Sequence, residues 1–251
     1  MVYRHATVRG DYEDLASGAV LHSAPGFPAF PVRLASEAFQ RALALRGGGG
    51  PATVWDPCCG SGYLLTVIGL LHRGRIQALL ASDVSDDALR LARANLDLLG
   101  QAGLSARAGV LREKAERFAK PSYAAAAEAA GRIGRMLAAG GGDVPHDVRR
   151  ADVFDPGQLA EAAAGYAPDI VVTDVPYGEQ TTWQGPGGDS GVPGMLAALA
   201  PVLTERAVVV VTARGRKVPL GGRIRARESF KVGTRAVALL TADQLGDHLT
   251  G

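Results

Sequence analysis

The chain has 251 residues, 47% of them hydrophobic, which suffices to bury one full core with an elaboration on it. A formal net charge of +2 selects no class of partner by itself, so the distribution of charge carries the information. The two cysteines, Cys58 and Cys59, are adjacent; neighbours rarely bridge and two thiols do not build a zinc site, so a reducing cytoplasm without a structural metal is expected.

Residues 1–50 read as a lead-in and 51–251 as the main domain. Met1-Val-Tyr-Arg-His opens without an apolar signal core, and the strongest apolar run, Ala207-Val-Val-Val-Val-Thr, is far too short to span a membrane. Leu21 to Pro31 carries three prolines and two phenylalanines, which predicts an ordered loop that buries its rings. Val32 to Leu45 has amphipathic helical spacing and stops at the glycines 47–50. Strands are predicted at Thr53–Asp56, Ile76–Ser82, Asp147–Ala151, Asp169–Asp174 and Ala207–Ala213, with helices at Gly62–His72 and Asp86–Leu99. This alternation predicts an α/β fold, a doubly wound, mostly parallel sheet covered on both faces. Arg227–Lys231 and Arg235–Leu240 flank Val232-Gly-Thr and predict a closing antiparallel hairpin.

The interval between Leu99 and Asp147 is longer than a simple connection requires. Roughly 103–144 reads as a helical insertion, with Ser122 as N-cap of an alanine-rich helix to Ala139 and Gly140–Gly142 as its stop. A spacer packed on the sheet and a substrate-gripping element are equally good readings of it.

The chemistry begins at Asp56-Pro-Cys-Cys-Gly-Ser-Gly, set between a strand and a helix. Gly60 and Gly62 let backbone approach a ligand at a helix N-terminus. A dinucleotide turn brings phosphate there and would not favour the carboxylate of Asp56; a cationic sulfonium and ammonium would. Asp83 ends the second strand and can accept ribose hydroxyls, with an N-cap as the bland alternative. Asp152 ends the third and can accept from an adenine amine, with a cap before Asp155-Pro as its alternative. Together they line the carboxyl edge, where open α/β sheets bind ligands.

Asp174-Val-Pro-Tyr-Gly closes the fourth strand. Asp174 supplies an acceptor for a base amine, Pro176 fixes the angle of the turn, and Tyr177 offers a ring on which a flipped base stacks. The stretch from Arg214 to Arg235 concentrates cations, with Arg214, Arg216, Lys217, Arg223, Arg225 and Arg227 as candidate RNA contacts on the edge that holds the active site. Lys231 and Arg235 belong to the same run. A solvated loop is the alternative.

The Asp56 turn, Asp83, Asp152 and Asp174-Val-Pro-Tyr resemble the signature set of class I, Rossmann-like, S-adenosylmethionine-dependent methyltransferases. More of the chain is similar to the AviRa family of avilamycin-resistance 23S rRNA guanine methyltransferases. The similarity includes Leu21-His-Ser-Ala-Pro-Gly, Asp56-Pro-Cys-Cys-Gly-Ser-Gly-Tyr-Leu-Leu-Thr, Lys120-Pro-Ser-Tyr, Ala151-Asp-Val-Phe-Asp-Pro and Lys231-Val-Gly-Thr-Arg. The resemblance implies S-adenosylmethionine as cofactor, held by Asp56, Cys58, Gly60, Gly62, Tyr63, Asp83, Asp152 and Asp174. It implies catalysis at Asp174, Pro176 and Tyr177, and methylation of a 23S rRNA guanine, with the exocyclic amine as the expected atom. The large ribosomal subunit is the implied partner, and resistance to an orthosomycin antibiotic the implied consequence. Amino-directed methylation of another RNA, of DNA adenine or of protein glutamine, and a non-catalytic RNA-binding relative, remain as alternatives. The last should have lost the Asp174 motif, and a small-molecule or glutamine methylase needs no basic run.

Overall fold

The computed structural model describes residues 3–8, 10–16, 19–175, 183, 187–222 and 224–246. In chain order the elements are α1 (Glu13–Ala16), α2 (Val32–Arg46), β1 (Ala52–Asp56), α3 (Tyr63–Leu71), β2 (Ile76–Asp83), α4 (Asp86–Leu96), α5 (Gln101–Phe118) and α6 (Pro121–Ala139). They continue with β3 (His146–Arg150), α7 (Pro156–Ala163), β4 (Ile170–Asp174), α8 (Gly191–Leu199), β5 (Val208–Arg214), β6 (Glu228–Val232), β7 (Arg235–Thr241) and α9 (Asp243–Gly246). One sheet takes the order β3-β2-β1-β4-β5-β7-β6. The strands from β3 to β5 pair in parallel, and β7 runs antiparallel to β5 and β6. The predicted α/β architecture and the closing hairpin are therefore present.

Parallel strands covered on both faces read as continuous apolar runs, and Val208 to Val211 are fully buried. Val54, Leu79, Val172 and Val210 face the core shared with α2, α3 and α4. Trp55, Leu80, Val171 and Val209 face the core shared with α7 and α8. Trp55 is wholly buried and satisfies its indole N–H on the Ser82 hydroxyl at 3.0 Å, so the strand beside the pocket keeps no unpaired donor from that ring.

The lead-in is held from inside α2. Glu37 is fully buried and accepts the backbone N–H groups of Arg4, His5 and Ala6 at 2.7, 2.9 and 2.7 Å, as well as Arg41 Nε at 2.7 Å. Arg41 also pairs with Glu228 of β6 and lies 3.9 Å over the Phe230 ring. Of the two phenylalanines in the proline-rich loop, Phe30 is buried as expected, whereas Phe27 is half-buried beside the pocket.

The insertion is a hairpin of two helices, α5 and α6, and only the second carries a strong sequence signal. α5 buries just Leu104, Ala108 and Leu111, a sparse stripe that gives little periodicity to read. Its root begins at Gly100, ahead of the expected residue 103. Ser122 does not cap α6: Lys120 holds the N-cap position without a side-chain bond and Pro121 occupies the first turn, where a missing N–H costs nothing. At α4 the cap is Ser85, which accepts from Ala88 N at 3.4 Å, so Asp83 is released from that duty.

Burial opposes the charge on Glu37, but the three backbone donors and Arg41 outweigh it and hold its pKa at about 2, below the ordinary 4.5. A depressed carboxyl contributes stability that is present above its unfolded pKa and is lost as pH falls through the folded one. Glu37→Gln should therefore cost about 3 kcal/mol at pH 7, as the shift converts, and much less near pH 2. Urea unfolding of both proteins at the two pH values measures this; an equal gap at both would mean that the charge on Glu37 contributes nothing.

Candidate active site

The parallel strands end on one edge, and there a cavity of about 450 Å³ opens between the β1, β2, β3 and β4 termini and the lead-in loop at Gly26–Phe30. Its described lining includes Asp56, Asp83, Asp87, Asp152 and Asp174, and no lysine or arginine. β1, β2 and β4 each end on an acid, Asp56, Asp83 and Asp174, which reaches past the sheet into the crevice; Asp152 follows β3 by two residues and Asp87 comes from the start of α4.

The turn after β1 is tightly bonded. Cys59 N donates to Ser82 O at 3.0 Å and Gly62 N to Cys59 O at 2.7 Å. Gly60 and Gly62 adopt φ of +51° and +69°, the left-handed region that favours glycine. The two positions differ in what surrounds them. A Cβ at Gly62 would lie 2.7 Å from Leu96 Cδ1 and 3.1 Å from Ala92 Cα, whereas at Gly60 the nearest atom is a Phe27 ring carbon at 3.7 Å. Gly62 thus serves the contact between α3 and α4, and the expectation that it clears space for a ligand is not what its surroundings require. Gly60 faces the cavity side.

Asp56 is 2% exposed and accepts the Cys58 N–H at 3.1 Å. Burial, reinforced by the neighbouring Asp83 and Asp174 carboxylates, pushes its pKa up to about 8. Burial also raises both thiols well above their ordinary value, so Cys58 and Cys59 are protonated packing groups rather than nucleophiles. Tyr63 lines the cavity with its ring, while its hydroxyl donates to Leu15 O and so ties α1 to the start of α3; burial lifts its pKa to about 12.

Asp83 is engaged on both oxygens, accepting Gly60 N and Ser85 N at 2.9 Å each. It braces the glycine turn against β2 while lining the cavity; burial raises its pKa despite those donors. Asp152 accepts Phe154 N at 2.9 Å through Oδ1, the turn role weighed as its alternative. Among the described residues nothing donates to its other oxygen, and it lines the cavity too. Asp155, not Asp152, caps α7, accepting Gly157 N and Gln158 N.

Asp174 has a partner that the sequence assigned elsewhere. Arg235, the first residue of β7, donates from Nη1 to Oδ1 at 2.8 Å and to Oδ2 at 2.6 Å, and the Thr212 hydroxyl donates to Oδ1. Arg235 is 5% exposed and stacks 4.7 Å over the Phe30 ring of the lead-in. It belongs to the site and not to a phosphate-facing surface. Pro176 and Tyr177 lie outside the described residues, as does Arg223; Trp183 lines the cavity and packs edge-on to Phe154 at 5.2 Å.

The basic run does not keep to one edge. Arg214 is exposed at the carboxyl end of β5, opposite Arg235, and Arg216 and Lys217 follow it, also exposed. The chain then crosses the sheet beside α8, packing Val218, Leu220 and Ile224 on that core. It reaches the opposite edge, where Arg227 N bonds Leu239 O and Arg227 pairs with Asp243 at 3.3 Å. Arg225 is there as well, its carbonyl held by Gln244 at 2.9 Å. The reason is strand direction: β6 starts at the amino edge because β7 runs against β5. Arg225 and Arg227 therefore do not share the active-site edge that was expected for them.

A Rossmann-like methyltransferase is the class that this sheet and acidic crevice define, the antiparallel β7 between β5 and β6 setting it apart from the 3-2-1-4-5-6 order of dinucleotide-binding sheets. The chain belongs to the AviRa family of rRNA methyltransferases, which it matches over residues 1–235. It is 56% identical over 240 residues, 96% of each chain, to the 23S rRNA (guanine(2535)-N(1))-methyltransferase of Streptomyces viridochromogenes. Two solved structures of the rRNA methyltransferase aviRa from that organism each match with a TM-score of 0.91, at 52% and 54% identity, covering 98% of this chain and 99% of theirs. The resemblance read from the motifs is thereby borne out, and the chain is an S-adenosylmethionine-dependent enzyme.

The contrast between the two glycines is testable. Gly62→Ala should destabilise the fold by roughly 2–4 kcal/mol, adding a clash with α4 to the left-handed strain, whereas Gly60→Ala should cost about 1–2 kcal/mol from backbone strain alone. Equal losses in urea unfolding would remove the packing role assigned to Gly62.

Proposed function

We propose that the enzyme transfers a methyl group to ring N1 of a guanine in 23S rRNA, and that this modification protects the ribosome from an orthosomycin antibiotic in the cytoplasm. The observation that carries the reading is the 56% identity, along 96% of both chains, to a guanine-N1 methyltransferase of that RNA. The exocyclic amine expected from Asp-Val-Pro-Tyr gives way to N1 because that relative methylates N1. The motif alone does not separate the two, since N1–H and the exocyclic N–H are adjacent donors on one edge of guanine.

The crevice fits the cofactor electrostatically. Five aspartates and no basic residue among its described lining suit a ligand with a cationic sulfonium and ammonium, and disfavour one with phosphates. Asp56, kept near neutrality chiefly by burial, would gain the charge that a cation favours. Asp83 and Asp152 would face the nucleoside, Asp152 with its second oxygen, while the bonded turn from Cys58 to Gly62 fixes the backbone beneath it.

Bound S-adenosylmethionine supplies an electrophilic methyl carbon. The chain's own contribution is placement. Asp174 presents an acceptor to the N1–H and amine edge of guanine, and Arg235 with Thr212 fixes the direction of its oxygens. Asp174 thus orients the base through a hydrogen bond from the exocyclic amine. N1 gives up its proton to water, and the freed lone pair forms the N1–CH3 bond as the S–CH3 bond breaks and its electron pair returns to sulfur, leaving a neutral thioether. Tyr177 offers the stacking face for the extruded base.

Two measurements follow. Because Asp56 must lose its proton to meet a cation, affinity for S-adenosylmethionine should rise by up to about tenfold per pH unit from pH 6 and level off above about pH 8, the value burial gives that carboxyl. Asp56→Asn should show no such slope; calorimetry at several pH values decides, and a flat wild-type profile would remove Asp56 from the cation's contact.

For the reaction, labelled methyl transfer onto 23S rRNA should mark one guanine and stop reverse transcriptase there, since N1 methylation blocks pairing and a single methyl on the exocyclic amine does not. Asp174→Ala should lower turnover by about 10²-fold with cofactor affinity little changed. Label without a stop would return the methyl to the amine, and no label on the RNA would end the rRNA reading.

A further inference from the structure

We infer that the outer end of the α5–α6 hairpin is an RNA contact, a platform on which one unpaired base stacks while its flanking phosphates meet surrounding cations. The inference rests on the RNA substrate proposed above and assigns it a second point of contact, remote from the crevice.

Phe118, the last residue of α5, is 50% exposed. Its ring lies 6.1 Å from that of Tyr123 across the turn, tilted by 45°. Arg117 Cζ is 5.3 Å from the Phe118 centroid and Lys114 Nζ is 6.0 Å from that of Tyr123. Lys120 stands exposed in the turn between the helices, beside Ala119 at φ +50°. Packing does not account for this grouping, because the small core beneath consists of Leu111, Ala126 and Ala127, with Tyr123 only at its border. Among the described residues none of Lys114, Arg117 and Lys120 is in an ion pair. Exposed rings interleaved with uncommitted cations are what a single-stranded nucleic acid needs, stacking for the base and charge for the backbone. A protein partner would have to bring acids to the same rings.

The hairpin is also aimed correctly. Its root sits at the amino edge of the sheet, where Gln101 N bonds Asp143 just before β3. Its middle is tied to the lead-in: Arg107 donates to Ala19 O and Val20 O, and Arg132 pairs with Asp14. The neighbouring Leu15 carbonyl receives the hydroxyl of Tyr63, a residue of the cavity lining. The helix continues from Arg107 to Phe118 for ~16 Å at 1.5 Å per residue, so the tip stands out from the level of the crevice on its own side of the sheet.

The test uses the full chain with 23S rRNA. Affinity for the RNA is measured by filter binding over a range of salt for wild type, Phe118→Ala, Phe118→Trp and the double variant Lys114→Gln with Lys120→Gln. Cofactor affinity and thermal unfolding are measured beside it. Phe118→Ala should weaken RNA binding about tenfold at an unchanged salt slope, Phe118→Trp should bind as wild type, and the double variant should flatten the slope by up to about two contacts. All should bind S-adenosylmethionine and unfold as wild type does. Wild-type RNA affinity in Phe118→Ala with a wild-type slope in the double variant overturns the platform and leaves the RNA substrate standing. A wild type that neither binds nor methylates rRNA overturns both. Loss of self-association in Phe118→Ala at unchanged RNA affinity makes the tip a protein contact and overturns the inference.

Discussion

The ion pair between Asp174 and Arg235 joins the fold to its chemistry. It exists because β7 enters the sheet antiparallel, which brings the first residue of that late strand to the edge where the parallel strands end. A parallel strand there would have delivered Arg235 to the far edge and left Asp174 without its cation. Burying such a pair costs desolvation that its attraction only partly returns, so its value lies in direction more than in stability. Phe30, stacked beneath the guanidinium, extends the arrangement to the lead-in, which thereby becomes part of the site wall.

The two strongly perturbed carboxyls show how environment divides structural from functional acids. Glu37 is fully buried, yet four donors hold it ionised at about 2. Asp56 is almost equally buried, with the Thr173 hydroxyl beside it, one backbone donor and two carboxylates nearby, and burial lifts it to about 8. Their linkage to pH has opposite sign. Stability from Glu37 is present above pH 4.5 and lost toward pH 2, whereas the raised Asp56 favours the fold at low pH and opposes it increasingly as pH climbs from 3.8 through 8. Glu37 is satisfied by the chain itself. Asp56 is not, since burial outweighs the Thr173 hydroxyl and the Cys58 N–H, and an acid left protonated in a crevice is one whose charge a cationic ligand would restore.

What could be read from sequence follows from the range of each interaction. Strand ends are local, so Asp56, Asp83, Asp152 and Asp174 were found at the carboxyl edge from the alternation of apolar runs and turns. Their individual bonds were less legible. Ser85 took the cap that Asp83 was weighed for, and Asp152 spends an oxygen on a turn because backbone N–H groups nearby compete for any carboxylate. Arg235 was misassigned because its partner lies 61 positions earlier, and only the antiparallel register reveals it. The same register sends Arg225 and Arg227 to the opposite edge, although eight cations in sequence suggested one surface. Within the helical insertion α5 was not delimited, since a helix packed mainly on one neighbour needs only a thin apolar stripe.

A net charge of +2 conceals a separation that constrains how any polyanion approaches. The crevice gathers aspartates, while exposed cations stand outside it, at Arg214, Arg216 and Lys217 on the β5 rim and around Phe118 on the hairpin. Within a Debye length of about 8 Å at physiological salt, a phosphate brought into the crevice would meet unscreened carboxylates and be repelled. A guanine without its phosphates carries no charge and offers donors that those carboxylates accept. Such electrostatics favour an uncharged base over the backbone, so an RNA that placed a guanine in the crevice would have to extrude that base and leave its phosphates outside. Base flipping would then be a consequence of where the acids and bases sit, and the burden of RNA affinity would fall on residues that never touch the reacting atom.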